Sequence, residues 1–412
     1  MSVIDRLKKG VLLQHRMDPN LRSMMAFRKI RQVSVIVQTT EGIDERVKRC
    51  ISKYGGKIRQ EYPLINACNA LLPPAGIKPL EALYGISFLS LNHPVTAHLK
   101  NMTAIMGSGI AHKQKLTGRN INIALLDTGT YPHPDLTRPV NRILYFKDFV
   151  NDCEFAYDDN GHGTFSAGII AGNGLTSKGE YTGVAPGSRL ISLKVLNQTG
   201  SGWVSSVLSG LQWVYDNREK YNIRLVCLPL GNISHLSFQD DPLSRAAAAL
   251  WDLGIVVCAS AGNNGPESCW ISSPGINPYI ITVGSLQNRG SSIYPGCPAS
   301  PFSSRGFTRD GTRGVDFIAP GTNIVSLNSD PAFYPKSPLA YRNVRLDSYY
   351  RQGSGTSVSC AAVTGTAALL MEKHGGLTPG EVKSLLKHSS KSLNLLKEQQ
   401  GYGLPDINAV LE

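Results

Sequence analysis

The alternation of apolar and polar positions changes character along the chain. Between residues 32 and 99 it predicts a strand, an amphipathic helix, two strands, a short helix and a last strand that runs into an extended tail. The order βαββαβ is that of an α+β ferredoxin-like unit. Residues 1–31 form a basic N-terminal arm whose weak helical periodicity predicts a surface helix or a frayed segment.

From residue 120 onward, short apolar strands alternate with helices. The predicted strands are INIALLD, RLISLKVL, IRLVCLPL, GIVVCASAG and YIITVGS. Strands this apolar are buried on both faces, so the alternation predicts an α/β fold with a doubly wound parallel sheet. We therefore expect a large domain over residues 120–412, a linker over residues 100–119, and the active site at the carboxyl ends of the strands.

The net charge of +12 raises the question of a nucleic-acid partner. Residues 1–100 hold 16 Lys and Arg against 7 Asp and Glu, so most of the excess lies in the N-terminal quarter. No base-reading motif or aromatic-interleaved basic stripe accompanies it, which argues against nucleic-acid binding. The open alternative is strongly salt-dependent binding of DNA by this quarter.

The eight cysteines show no CxxC spacing and are interpreted as small hydrophobic residues rather than metal ligands. A disulfide between Cys269 and Cys297, which flank one region, stays open. The N-terminus lacks the apolar stretch of a signal peptide, and no segment has transmembrane length. These features predict a cytoplasmic protein without a membrane partner, with non-classical secretion as the alternative.

Four polar segments fall at predicted strand ends or helix starts. They are LLDTGTYPHPDL around Asp127, DDNGHGTFSAG around His162, GSGTSVSCAAVTG around Ser357, and ASAGNNGP, which contains Asn263. Acyl transfer by a hydroxyl needs an imidazole base and a carboxylate that orients the base. The Asn263 amide and a helix N-terminus at Ser357 could stabilise an oxyanion. Each segment alone is an ordinary turn or cap, but the four together predict a catalytic site.

In the order Asp127, His162, Ser357, these motifs resemble the subtilisin-like serine proteases, or subtilases, most closely the bacterial AprX type. The resemblance covers about residues 115–412. It implies a subtilisin-like fold and a serine endopeptidase that forms an acyl-enzyme on Ser357, with Asn263 as the oxyanion-hole asparagine. It also implies protein or peptide substrates and no cofactor for catalysis.

The chain departs from the subtilase pattern at three positions near the site. Phe165 stands where the family has a second histidine, Val358 where it has methionine, and Ala362 roughly where it has proline. None of these changes removes a triad group. The alternative, a catalytically silent subtilase-like scaffold, is therefore disfavoured.

The resemblance further implies two backbone segments that clamp an extended peptide as an added strand. Trp203 would line the P4 pocket, although core packing is the alternative. The residues implied in substrate binding are Gly200, Ser201, Gly202, Trp203, Pro229, Leu230 and Gly231 in the clamp, and Ser260, Ala261 and Gly262 at the P1 pocket.

Two further expectations come from the resemblance. Residues 32–99 would be an inhibitory propeptide that assists folding. Its extended tail, residues 95–101, would pair with the Ser201 and Leu230 segments as a substrate does and would inhibit until a cut between Leu99 and Asn101, with Leu99 as the P1 residue. The alternative is a permanent accessory domain. Asp135 matches a calcium-ligating position, yet the loop at residues 172–183 lacks the usual calcium pattern, so structural calcium is an open possibility.

Overall fold

The structure, a computed structural model, describes residues 16–25, 31–92, 94–97, 108–266, 271–287, 297–308, 310–312, 314–406 and 409. The expected cleavage region with Leu99 and Asn101 lies outside these residues, as does Cys269. The other candidate of that disulfide, Cys297, is a buried free cysteine.

The N-terminal unit has the predicted order of elements. Its members are α1 (Pro19–Met24), β1 (Val33–Thr39), α2 (Glu45–Lys53), β2 (Lys57–Tyr62), β3 (Ala67–Leu72), α3 (Pro74–Glu81) and β4 (Ile86–Leu91). The strands form an antiparallel sheet in the order β2-β3-β1-β4. Val35 and Val37 point to the core shared with α2 and α3, and Ile36 between them faces the large domain, as the period of two requires.

Part of the expected basic arm packs against this sheet. Met17 and Leu21 are buried in the same core as α2 and α3. The carboxylate of Asp18 accepts the backbone N–H of Leu91 at 3.1 Å. Residues 16–25 therefore pack with the unit that was expected to begin at residue 32.

The large domain is built on the predicted parallel sheet, with strands in the order β15-β14-β12-β10-β6-β8-β7. Every neighbouring pair is parallel, which confirms the predicted fold class. The strands are β6 (Asn122–Asp127), β7 (Ile143–Asp148), β8 (Arg189–Lys194), β10 (Ile223–Leu228), β12 (Val256–Ser260), β14 (Ile281–Leu286) and β15 (Phe317–Pro320).

Smaller strands and the helices complete the structure, and the first of these strands, β5, follows β4 of the N-terminal unit. The strands are β5 (Pro94–Ala97), β9 (Ser201–Trp203), β11 (Leu230–Ile233), β13 (Ser272–Ser273), β16 (Ile324–Leu327), β17 (Tyr350–Gly353), β18 (Ser390–Lys391) and β19 (Leu404–Pro405). The helices are α4 (Gly109–Lys113), α5 (Pro134–Thr137), α6 (His162–Ala171), α7 (Val204–Asn217), α8 (Pro242–Asp252), α9 (Thr356–His374), α10 (Pro379–Ser389) and α11 (Lys397–Gln400).

The large sheet is covered on both faces. Leu125 and Cys227 point to the side of α6 and α9, and Leu126 and Val226 point to the side of α7 and α8. Because α9 is buried along nearly its whole length, it is apolar all round rather than on one stripe. None of the helices in the described ranges is long and apolar enough to cross a membrane.

Candidate active site

Asp127 and His162 form a buried pair at the carboxyl edge of the sheet. Asp127 is the last residue of β6, and His162 is the first residue of α6. Nδ1 of His162 donates to Oδ1 of Asp127 at 2.6 Å, and both side chains are 1% exposed. Since the carboxylate only accepts, the Nδ1 proton is fixed and Nε2 keeps its lone pair. Nε2 is buried and has no hydrogen-bond partner among the described residues.

Ser357 is the second residue of α9 and is fully buried. The first turn of a long helix presents backbone N–H groups without intrahelical partners, together with the positive end of the helix dipole. Asn263 is tied to this turn, since its Oδ1 accepts from the backbone N–H of Thr356 at 3.0 Å and from the Thr356 hydroxyl at 3.1 Å. Its NH₂ group therefore remains to donate to another acceptor.

A hydrogen-bond network that sequence reasoning did not identify joins the Asp127 turn to α6. Asp158 accepts from the Thr128 hydroxyl at 2.8 Å through Oδ1, and from the N–H and hydroxyl of Thr164 through Oδ2. The backbone N–H of Gly163 donates to the same Thr128 hydroxyl at 2.8 Å. A Cβ on Gly163 would lie 1.9 Å from the carbonyl oxygen of Gly129, so this contact requires glycine.

Phe165, which stands where the family has a second histidine, packs in the interior of the domain. The ring of Phe165 is buried, and the guanidinium of Arg351 lies 5.4 Å from its centroid. Burial lowers the pKa of Arg351, while the carboxylates of Asp158 and Asp127 oppose that shift. At the position of Phe165 this chain thus has a partly buried cation next to an aromatic ring, near the Asp127–His162 pair.

The two predicted clamp segments are β9 and β11, and a strand lies between them. Strand β5 pairs antiparallel with β9, with Val95 opposite Gly202, and with β11, with Ala97 opposite Leu230. Trp203 is 55% exposed, which excludes core packing for its side chain.

The residues expected at the P1 pocket lie next to β11. The hydroxyl of Ser260 donates to the carbonyl of Leu230 at 3.3 Å. Ala261 is buried, and its carbonyl accepts from the backbone N–H of Ser272 at 2.8 Å. Gly262 has a φ of +103°, and a Cβ there would meet the Ser272 hydroxyl at 2.3 Å. The segment from Ser260 to Gly262 therefore contacts both β11 and β13.

The surroundings of Asp135 do not fit a calcium ligand. Its Oδ1 accepts from the N–H and hydroxyl of Thr176 at 2.9 and 2.8 Å, and its Oδ2 accepts from the hydroxyl of Tyr350 at 2.5 Å. Its carbonyl oxygen accepts from Arg142. Calcium needs oxygen lone pairs that point at the ion, whereas these are occupied by hydrogens. Within the described residues, no cluster of three or more His, Cys, Asp or Glu could hold a metal.

Comparisons with known proteins agree with this geometry. The profile described as Subtilase family, peptidase S8, matches residues 118–403. Serine protease AprX of Bacillus subtilis (strain 168) is 37% identical over 392 residues, which are 92% of this chain and 87% of that protein. The alkaline protease of Shouchella clausii is 29% identical over 374 residues, 90% of this chain and 86% of that protein.

The solved structure of fervidolysin from Fervidobacterium pennivorans superposes with a TM-score of 0.71 at 21% sequence identity. The match covers 93% of this chain and 62% of fervidolysin, so this chain spans less than two thirds of that protein. This likeness concerns the fold, while the family profile covers most of the chain. The chain therefore belongs to the subtilase family of serine endopeptidases, peptidase group S8.

Proposed function

We propose that Asp127, His162 and Ser357 are the catalytic triad of this endopeptidase. Ser357 attacks the carbonyl carbon of the scissile peptide bond, and Nε2 of His162 takes the hydroxyl proton and passes it to the leaving amine. Asp127 orients the imidazole and stabilises the imidazolium. The observation that carries the proposal is the buried 2.6 Å contact between His162 Nδ1 and Asp127 Oδ1. Asn263 and the first turn of α9 would hold the oxyanion.

A fluorophosphonate probe tests this assignment. The wild-type protein should be labelled and should hydrolyse peptides, whereas Ser357→Ala and His162→Ala should lose nearly all hydrolysis and remain folded. Ser384→Ala, which changes an exposed serine in α10, is the matched control and should behave as the wild type. Hydrolysis at the wild-type rate in either triad variant would end the assignment.

We infer that the N-terminal unit is an inhibitory propeptide. Strand β5 occupies the position of a substrate strand between β9 and β11. The unit also packs on α7 and α8, because Ile36, Tyr62 and Ile65 belong to the same apolar cluster as the residues of these helices. The hydroxyl of Tyr62 donates to the carbonyl of Ser205 at 3.1 Å. Such a unit would block the cleft until the chain is cut.

The inference predicts self-processing. Purified wild-type protein should acquire a new N-terminus between Leu99 and Asn101, and Ser357→Ala should remain full length. N-terminal sequencing and mass spectrometry decide between the outcomes. A wild-type chain that is active and stays full length would instead support the permanent accessory domain.

The proposed P1 pocket favours apolar side chains. Ser260, Ala261 and Gly262 are small, and Ile271 is apolar, so a carboxylate in the pocket would be desolvated with no cation among these residues to pair with it. A chromogenic peptide series should show higher kcat/KM for Leu, Phe or Met than for Asp at P1. A preference for Asp would refute this description of the pocket.

The cellular location stays a prediction. We propose cytoplasmic retention on the sequence features given above, and fractionation of cells that express the full-length chain tests it. Recovery from the culture medium without lysis would favour non-classical secretion.

A further inference from the structure

Lys194 is a fully buried lysine at the carboxyl end of β8, with 0% of its side chain exposed. Its ammonium donates to three oxygens, which are the carbonyl of Thr128 at 2.7 Å, Oδ1 of Asp159 at 2.5 Å and the carbonyl of Leu196 at 3.0 Å. An ammonium has three N–H donors, so each of them is used. An ion pair this deep is costly to desolvate, which makes its place in the fold informative.

The three acceptors lie in three turns of the candidate active site. Thr128 directly follows Asp127, Asp159 lies three residues before His162, and Leu196 begins the turn that leads to Ser201. One cation therefore holds together the turns that carry the acid, the base and one wall of the peptide clamp.

Thr128 is the link between this ammonium and the triad. Its backbone N–H donates to Oδ1 of Asp127 at 2.6 Å, and this is the same oxygen that accepts from His162. Its hydroxyl donates to Asp158, while its carbonyl accepts from Lys194. A change in the position of the ammonium would therefore rotate the residue that sets the direction of the Asp127 carboxylate.

The ion pair is held from the outside by a segment between β16 and β17. The hydroxyl of Tyr334 donates to Oδ2 of Asp159 at 3.1 Å. The Tyr334 ring lies 4.8 Å from the ring of Tyr157, and the Lys194 ammonium lies 5.0 Å from the centroid of Tyr157. Both oxygens of Asp159 thus have donors, one from the core and one from a residue that is itself 51% exposed.

We propose that the Lys194–Asp159 ion pair, held by Tyr334, is a positioning element for the Asp127–His162 pair. The inference rests on the proposed triad. Lys194 touches no reacting atom, so it acts through the geometry of Thr128 and of the loop before His162. Small displacements of catalytic groups reduce turnover strongly, since the rate depends on alignment at the reacting atoms. A role limited to stability would leave turnover of the folded protein unchanged.

The test is the double variant Lys194→Met/Asp159→Asn, which removes both charges and leaves neither one buried alone. We expect kcat on a chromogenic peptide to fall by about tenfold or more, with KM within about twofold of the wild type. The measurement is made well below the Tm of each variant.

Lys383 provides a matched control at the opposite edge of the sheet. Its ammonium donates to the carbonyls of Pro278 and Ile280 at the amino end of β14, and to Asp316 at 2.9 Å. Lys383→Met/Asp316→Asn should lower Tm while kcat stays at the wild-type value. A fall in kcat that matches that of the Lys194 double variant would mean that stability explains both results, and the proposal would be overturned.

Tyr334→Phe is the second variant, because it removes one hydroxyl at the surface and leaves the core intact. We expect kcat to fall by about twofold to fivefold with KM unchanged and Tm only slightly lowered. If the Lys194 double variant does not fold, Tyr334→Phe alone decides, and a wild-type kcat would overturn the proposal. Probe labelling separates the two hypotheses. An unlabelled wild type would refute the proposed triad. A labelled wild type together with variants whose kcat is unchanged would refute only the positioning role.

Discussion

Hydrogen bonds from Thr356 fix the orientation of the Asn263 side-chain amide. Both acceptor positions of its carbonyl oxygen face Thr356, the residue before Ser357. The NH₂ group is then the part of the side chain that can reach a carbonyl under attack. Its position relative to Ser357 depends on one local pair of hydrogen bonds.

Asn263→Leu should lower kcat by about 10²–10³, the loss typical of removing one oxyanion-hole donor, with little change in KM. The donor interacts with the charge that develops in the transition state more than with the bound substrate. Steady-state kinetics on a chromogenic peptide measures the effect. Asn264→Leu is the adjacent control and should keep kcat within about threefold. Equal losses in both variants would show that the loop, and not the amide, matters.

Sequence reasoning pointed to the candidate catalytic residues more readily than to the residues that hold them in place. Asp127, His162 and Asn263 lie in short motifs with glycines nearby, so a local pattern marks them. Asp158 and Lys194 act through partners about 30 residues or more away, and no local pattern encodes those distances. A signal was present for Lys194, because a cation at the buried end of an apolar strand requires a buried partner.

Among the structural elements, α5 and its neighbours form a polar cluster in which hydrogen-bond donors occupy both carboxylate oxygens of Asp135. Treatment with a chelator should therefore leave Tm nearly unchanged, because no bound ion links to folding at this position. Tyr350→Phe should lower the free energy of unfolding by about 1–2 kcal/mol, since Oδ2 of Asp135 loses its donor. Calorimetry with and without chelator measures both effects. A large fall of Tm on chelation would mean that calcium binds elsewhere or displaces these donors.

The same cluster predicts how stability depends on pH. His133 precedes α5 and is fully buried, and burial lowers its pKa to about 4 although Asp135 opposes the shift. The unfolded chain has a histidine pKa of about 6.5. The unfolded state therefore binds more protons between these values, so His133 stabilises the fold above about pH 6.5 and loses this effect as the pH falls towards 4.

The dependence is measured as Tm against pH, with His133→Gln as the comparison. In the variant, the part of the slope between about pH 4 and 6.5 that belongs to His133 should be missing. Titratable groups far from His133 contribute equally to both proteins and cancel in the difference. Parallel curves would show that His133 does not titrate as its burial indicates.

Element prediction succeeded where strands are buried on both faces. The five strands that the apolar runs predicted correspond to β6, β8, β10, β12 and β14. The edge strand β7 was not predicted, because several of its side chains are partly exposed and its sequence, ILYFKD, mixes apolar and charged residues. Strand β15 is only four residues long, which is too short for a periodic signal.

At the scale of the whole molecule, a residue of the N-terminal unit caps the first turn of a helix of the large domain. Helix α7 begins after Trp203, whose side chain makes no capping hydrogen bond. Oδ1 of Asn92 instead accepts the backbone N–H of Ser205 at 2.8 Å, and its Nδ2 donates to the Ser205 hydroxyl at 2.8 Å. A cap of this kind contributes about 1 kcal/mol, here to the docking of two units.

Asn92→Leu should weaken the docking of the N-terminal unit by a factor of about five, which corresponds to 1 kcal/mol. In Ser357→Ala chains, which we expect to remain uncut, the change should appear as easier access of a fluorescent peptide to the cleft. Glu41→Gln, at an exposed position in the same unit, is the control. Equal peptide access in the two variants would contradict a role for Asn92 in docking.

The surfaces through which the N-terminal unit packs on the large domain could not be predicted from the sequence. The faces that meet are separated by more than a hundred residues, as in the contact of Asn92 with Ser205, and complementarity between surfaces leaves no periodic pattern. The expected pairing of the extended tail with the Ser201 and Leu230 segments came from the family resemblance and is present over Pro94–Ala97.

If the N-terminal unit is removed as proposed, the arrangement of β9, β5 and β11 would also determine which proteins this peptidase can digest. Without β5, two strand edges would face each other across a gap one strand wide, about 9–10 Å between their backbones. Only a chain that offers several consecutive unpaired N–H and C=O groups fits there, and a helix or an intact sheet does not. The digestion rate of a native protein should therefore follow the free energy of its local opening. Proteins that open locally more often would therefore be digested faster.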